Sequence, residues 1–436
     1  MDSIWLSGPK MPEFPTLTQN INTDVLVIGG GIAGILCAYM LKLSGVDVTL
    51  VEAKRLCSGV TGKTTAKITS AHGLIYDTLL HRFGAEKAGL YLKCNQEALA
   101  HYHNLCGHID CDFQEQDAFV YSISKRQSLE NELKALDIIG YAAEFVETPA
   151  LPFPTLGAIR FPGQAQFHPI KFLSAIAKDL QIYENTKAEE ISGGTVRTIR
   201  GDIRAKAIIV ATHFPFLNRH GSYFLKLYQQ RSYVMGLNHA ENVDGMYIGA
   251  EYPNLSFRNY EGTLLLGGCG HRTGKNGGGW SELTHWAHRY YPKSKCEYRW
   301  ATQDCVTLDG LPYVGRYSKN TPNLYVATGF QKWGMTTAMA AADILKDLIT
   351  DKDNPYAKLF SPSRTILRPQ LAVNGLETMK NLLSFRTPRC SHMGCALKWN
   401  AQEHSWDCAC HGSRFSETGE ILDNPATNVL KRTDAR

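Results

Sequence analysis

Residues 25–52 read VLVIGGGIAGILCAYMLKLSGVDVTLVE, and the rest of the chain is organised around them. Four apolar residues, Val25, Leu26, Val27 and Ile28, run into Gly29, Gly31 and Gly34 at the G-x-G-x-x-G spacing. An apolar helical segment and a second strand ending in Glu52 follow, which completes the context of a dinucleotide-binding fingerprint. Gly29 makes the tight turn, Gly31 admits the backbone to a pyrophosphate, and Gly34 lets the helix close on the strand. The first-turn amides, at Ile32 and Ala33, then face the phosphates. Glu52, 18 residues after Gly34, stands where a carboxylate accepts from both hydroxyls of a ribose and disfavours a 2′-phosphate. Ala53 and Lys54 adjoin that contact.

The loop CSGVTGKTTAKITSAHG (57–73) is rich in hydroxyls and glycine. Thr61, Thr64 and Thr65 are expected either to contact the cofactor or to cap the following helix, and the pattern fits both. Helices are expected over 76–105 and 127–138, then a strand, a turn and a helix at 169–180. The apolar strand 208–212 returns to the nucleotide domain, so Ala188, Ala211 and Thr212 are expected at the cofactor. Alternating runs between 228 and 302 predict an antiparallel sheet. After DCVTLDGLPYVGRY, the strand LYVATGF passes through Gly329 into a small-residue turn and a helix from Gly334. That helix N-terminus, with Met335 and Thr336, suits the electron-rich end of a second ring system.

The expected class is thus α/β. A discontinuous Rossmann-type nucleotide domain takes 20–75, 155–215 and 305–350, and an antiparallel-sheet substrate domain takes 76–154 and 216–304. Residues 351–378 are expected to be a linker and 379–436 a small C-terminal module. At 436 residues the chain has material for two or three domains. The net charge of +5 is scattered, with no basic face interleaved with aromatics, so no nucleic-acid partner is expected. No run approaches the roughly 18 apolar residues of a spanning helix. Eight of the twelve cysteines stand singly, as buried thiols do in a reducing compartment, so a cytoplasmic protein is expected.

The other four cysteines crowd into RCSHMGCALKWNAQEHSWDCACHGSRF (389–415). Cys390 and His392 form C-x-H, fifteen residues intervene, and Cys408 and His411 form C-x-x-H. This is the Rieske pattern, in which two thiolates hold one iron of a [2Fe–2S] centre and two imidazoles hold the other. A zinc site is the competing reading, although zinc fingers keep their histidines together on one helix. Resemblance to the Rieske proteins of respiratory complexes implies a disulfide between Cys395 and Cys410, and the segment NPAT (424–427) resembles the proline loop that covers their cluster. Ala409 replaces a common proline. Phe415 stands where high-potential relatives have a tyrosine, while Ser413 keeps its hydroxyl, so an intermediate potential is expected. Residues 371–389 leave too little chain for the usual base strands, which implies a bare module leaning on the body.

From VIGGGIAG with Glu52, the IIVAT strand, DGLPYVG and VATGFQKWGMTTA, residues 20–350 resemble the D-amino-acid oxidase and glycine oxidase superfamily of flavoproteins. The resemblance implies FAD as cofactor, with its isoalloxazine under the turn at Gly334, Met335 and Thr336. Some relatives attach flavin through a histidine where Lys63 stands here, so non-covalent FAD is implied. The usual reaction is hydride removal from the carbon beside an amine, with the flavin carrying the chemistry. His72, Arg231, Tyr233, His271 and Lys332 are the candidate substrate residues, near Tyr76 and Trp333. The expected function is an FAD-dependent dehydrogenase for an amine or amino acid, with one-electron transfer through the cluster to an acceptor protein. The alternatives are a reductase or isomerase fed by the cluster, and a redox sensor without turnover.

Overall fold

In the strand Ile21–Ile28 every side chain from Val25 onward is buried, the mark of a strand inside a parallel sheet. It pairs in parallel with Gly201–Val210 on one side and Val48–Val51 on the other. Leu324–Thr328 and Gln181–Tyr183 extend the sheet outward, also in parallel, and Tyr313–Arg316 closes one edge antiparallel. The two helices that follow glycine turns, Ile32–Leu43 and Gly334–Ile349, pack against each other. This computed structural model describes residues 3–384 and 388–430.

A second sheet is built on three long antiparallel strands, Leu227–Asn238, Thr263–Arg272 and Lys295–Thr307. It continues through Ser256–Tyr260 and Met246–Gly249 to Gln114–Tyr121 and Ala158–Gln166. The join between Met246–Gly249 and Gln114–Tyr121 is parallel, so the sheet is mixed. A third sheet of four short antiparallel strands, Leu397–Asn400, Ser405–Cys408, Arg414–Ser416 and Ile421–Asp423, forms the C-terminal module.

Three boundaries differ from the sequence expectation. Residues 155–215 divide, because Ala158–Gln166 pairs with Gln114–Tyr121 in the second sheet and only the later strands join the first. A strand's own side chains say that it is buried, not which sheet it enters. The helix expected over 76–105 is two, Ile75–Phe83 and Ala85–Cys106, broken at Gly84 with φ +83°. The supposed linker contains the short helix Ala357–Phe360 and most of Pro369–Leu382, so the module boundary at 379 falls inside a helix. Pro369 starts that helix rather than interrupting it. Arg364 bolts the segment down, donating from Nε and Nη2 to Asp309 at 2.7 and 2.8 Å. Within the expected module, residues 385–387 and 431–436 lie outside the described residues.

Candidate functional site

One cavity of about 1020 Å³ opens between the first two sheets and the module. Ligand sites generally run to roughly 1,000 Å³, so this one has room for a large ligand. Gly29, Gly31, Ile32 and Ala33 line one end with the N-terminus of Ile32–Leu43, and Gly329, Gly334 and Met335 line another part with the N-terminus of Gly334–Ile349. Both helices therefore turn their positive ends to the same space.

The glycine cradle follows from close contact. Gly29 has φ +116°, and a Cβ there would lie 2.6 Å from the Ala211 carbonyl oxygen. A Cβ on Gly34 would be driven into the Gly29 carbonyl oxygen. Gly34→Ala is accordingly expected to push the helix off the strand, at about 1–3 kcal/mol for overpacking, and to leave purified protein with little bound flavin. Absorbance at the flavin band against protein checks it, and wild-type flavin content would contradict it.

Glu52 lines the cavity with both oxygens engaged: Oε2 accepts from the Gly30 amide at 2.7 Å and Oε1 from the Lys54 amide at 2.9 Å. Each oxygen keeps a lone pair for a ribose hydroxyl. Burial raises its carboxyl above the usual range, against those two hydrogen bonds. Thr61 does something neither expectation named: its hydroxyl accepts from the Ile32 amide at 3.0 Å and so caps the preceding helix. Thr64 accepts from Ala66 at 2.9 Å within its own loop. Thr65, Ala53, Lys54, Lys63, Ala188, Ala211 and Thr212 line the cavity as well.

The candidate substrate residues separate into two sets. Tyr233 and Lys332 line the cavity. His72, Arg231 and His271 do not. His72 is buried behind the wall, stacked on Trp333 at 4.7 Å, with Nδ1 accepting from Tyr91 Oη and Nε2 donating to the Thr69 carbonyl, both at 2.7 Å. Burial lowers its pKa to about 3, so the ring stays neutral and braces the turn, where Thr336 also donates to Thr69. Arg231 is spent on the module: Nε donates to Glu403 Oε1 at 3.0 Å and Nη2 to Glu403 Oε2. Tyr233 Oη donates to the same Glu403 at 3.1 Å and meets His271 Nε2 at 2.9 Å. A substrate carboxylate has no free guanidinium at Arg231.

Asp304 was not singled out from sequence. It lines the cavity from Lys295–Thr307 at 9 % exposure, and burial pushes its carboxyl up to about 7 against the pull of Lys332 and Arg231. Lys332 faces the same space, where it is drawn to the charge of Asp304.

The cluster motif sits against the other side of this wall. Cys390, Cys408 and His411 are buried, and the rings of His392 and His411 lie 4.9 Å apart and nearly perpendicular. Nδ1 of each histidine is buried without a hydrogen-bond partner, while His392 Nε2 donates to Asn218 Oδ1 at 3.1 Å. Two orphaned imidazole nitrogens beside two buried thiols fit the donor set of a Rieske centre, because a histidine that donates from one nitrogen presents the other to metal. Cys395 and Cys410 are free thiols in the structure, with their sulfurs and that of Cys408 mutually within 4.8 Å. Ser413 is buried and its hydroxyl accepts from Ala426 at 3.0 Å, holding the NPAT segment over the loop.

Four successive carbonyls of the second cluster loop accept from the body. Arg272 donates to Ala409 at 2.9 Å and Cys410 at 3.0 Å, Gln229 to His411 at 2.8 Å, and Gln303 to Gly412 at 2.8 Å. The wall between cluster and cavity is thin. Thr212 and His213 line the cavity, and the next residue, Phe214, stands edge-on to His392 and His411 at 6.4 and 6.3 Å. Asn424 closes the corner, donating to the Thr212 and Phe214 carbonyls at 2.6 and 2.9 Å. Asp423, Asn424 and Thr427 of the module also line the cavity. Among the described residues, no helix is long and apolar enough to cross a membrane.

Comparison with known proteins agrees with this arrangement. The family model for FAD dependent oxidoreductases (DAO) matches residues 24–348, and the model for the Rieske [2Fe-2S] domain matches 371–434. The Rieske 2Fe-2S iron-sulfur protein YhfW of Bacillus subtilis (strain 168) is 34% identical over 499 aligned positions, covering 99% of this chain and 97% of that protein. Among solved structures, L-proline dehydrogenase from P. horikoshii superposes with a TM-score of 0.67 at 17% identity, covering 80% of this chain and 98% of that one. Glycine oxidase from Geobacillus kaustophilus gives 0.65 at 19%, covering 79% and 99%. At those identities the two structures speak for the fold alone. The glycine cradle and the orphaned imidazoles thus have their explanation: the chain belongs to the FAD-dependent oxidoreductase family, binds FAD, and carries a C-terminal Rieske domain for a [2Fe–2S] cluster.

Proposed function

We propose that this oxidoreductase is a dehydrogenase that takes hydride from the carbon beside the nitrogen of an amine or amino acid and sends the electrons singly through the cluster to an acceptor protein. A bound flavin supplies the exchange between paired and single electrons, which a [2Fe–2S] centre alone does not. The observation that carries the reading is the shared wall, where His213 lines the cavity and Phe214 touches both imidazoles. Direct delivery to dioxygen needs no such wall.

The residues of the chain have definable tasks in this scheme. Val234, Ile248, Phe330 and Trp333 give the cavity an apolar wall that keeps water from the reacting carbon. Arg272, Gln229 and Gln303 fix the cluster loop by its carbonyls, so the electron path does not depend on a mobile tether. Cys395 and Cys410 would tie the two cluster loops together if oxidised. A cytoplasmic location is part of the proposal, supported by the scatter of single thiols.

Anaerobic mixing with a panel of amines and amino acids tests the order of events. Bleaching of the flavin should precede the EPR signal of a reduced Rieske centre. A bleached flavin beside a cluster that stays oxidised would refute the route. A cluster reduced by external donors that then bleaches the flavin would reverse its direction.

A further inference from the structure

Among the described residues four carboxylates line the cavity, and three are accounted for. Glu52 is held by two amides, Asp423 is paired with Arg414 at 2.9 Å, and Glu420 is exposed. Asp304 is buried and has no side-chain hydrogen bond or ion pair among the described residues. Among the described residues it is also the one acid that the second sheet presents to the cavity, opposite Gln230 of the neighbouring strand. No close ion pair offsets its desolvation, since Lys332 and Arg231 attract its charge only from beyond ion-pair distance.

We infer that Asp304 receives the ammonium group of the substrate and takes its proton, and that the preferred substrates are amines with no carboxylate on the reacting carbon. This rests on the dehydrogenase reading above. An N–H bond breaks, an O–H bond forms on Asp304, and the nitrogen is left with the lone pair that hydride loss from the adjoining carbon to flavin requires. Its proton affinity, raised by burial, suits that transfer. A carboxylate on the reacting carbon would stand two bonds from the nitrogen, beside Asp304, where like charges in a buried space repel. The guanidinium that would offset it, Arg231, is bound to Glu403. Arg55 is likewise paired, with Glu184 at 2.6 Å. Of the lysines that line the cavity, Lys54, Lys187 and Lys67 donate to Ile421, Thr427 and Ser256, Lys63 answers the charge of Asp423, and Lys332 that of Asp304 itself.

Matched pairs test the inference: propylamine with 2-aminobutyrate, butylamine with norvaline, pyrrolidine with proline, and methylamine with glycine, each pair differing by one carboxylate and having a single amine. Anaerobic flavin bleaching by the amine, at least tenfold faster than by its amino acid, is expected. Equal or faster bleaching by the amino acid overturns the inference and leaves the dehydrogenase reading intact. Bleaching by no member of any pair counts against that reading and carries the inference down with it. In Asp304→Asn, the dissociation constant of the effective amine, read from its perturbation of the oxidised flavin spectrum, should rise about 10- to 100-fold, the worth of one hydrogen bond to a charge. Flavin content and Tm should hold, and Asp304→Glu should recover part of the affinity. Unchanged amine affinity in Asp304→Asn overturns the assignment, as does recovery of nothing by glutamate alongside lost flavin.

Discussion

Replacing Cys408 with serine is expected to abolish the iron–sulfur centre outright while the protein stays yellow. Cys408 is fully buried at the base of the second cluster loop, and its amide and carbonyl already hold that loop through Ser413 and Gly412. The hydroxyl would preserve the packing and remove the thiolate, so iron, acid-labile sulfide and the EPR signal should all fall to background. The flavin cradle belongs to another sheet, with its own core under Val25, Val27 and Leu50, and should keep its ligand. Anaerobic bleaching by substrate should therefore survive in Cys408→Ser, while turnover with a one-electron acceptor protein collapses. Cys296→Ser, at an exposed thiol far along the sequence, should change none of these. Retention of acid-labile sulfide in Cys408→Ser, or stoichiometric zinc without sulfide in the wild type, would end the Rieske assignment for these residues.

What was legible in the sequence was whatever is forced locally. Gly29 and Gly34 are required by a left-handed φ and by a carbonyl closer than any Cβ permits, so their spacing survives as a motif. Ligand pairs such as Cys390 with His392 are legible for the same reason, since both donors come from one tight loop. The interface between body and module was not legible. Gln229, Arg272 and Gln303 donate to backbone carbonyls, and a carbonyl acceptor has no residue type to announce it. Arg231 shows the same limit from the other side. A buried basic residue on a strand calls for an anion, but the strand does not say whether that anion is a substrate or Glu403, 172 residues later. Asp304, within DCVTLDGLP, carries no local signal of a site, because it acquires meaning only when a cavity forms beside it.

Arg231→Met is expected to loosen the module from the body at a cost of about 3–5 kcal/mol, the penalty for stripping one partner from a buried ionic network. Arg231 and Glu403 are nearly sealed from solvent, at 4% and 10% side-chain exposure. Burial alone would raise the Glu403 carboxyl, but Arg231 and Arg414 outweigh it and hold it below the usual range. Arg414 reaches Glu403, Asp407 and Asp423 at 2.9–3.0 Å, so two guanidiniums serve three module carboxylates. Removal of Arg231 leaves three carboxylates, two of them nearly sealed from solvent, on one cation. Glu403→Gln should cost less, about 1–3 kcal/mol, since the amide oxygen still accepts from Arg231 while a charge-assisted bond is lost. Because Arg231 belongs to the body and Glu403 to the module, a double-mutant cycle over the pair should show strong coupling in Tm. Protease should also cut first near the exposed Leu367, releasing a fragment that carries the cluster. Tyr233 shares Glu403 with Arg231, so its hydroxyl would lose its acceptor in any variant lacking that carboxylate, and substrate KM should rise with the loosening. Additive single effects and an unchanged cleavage pattern would mean that the module is held to the flavoprotein body by something other than this network.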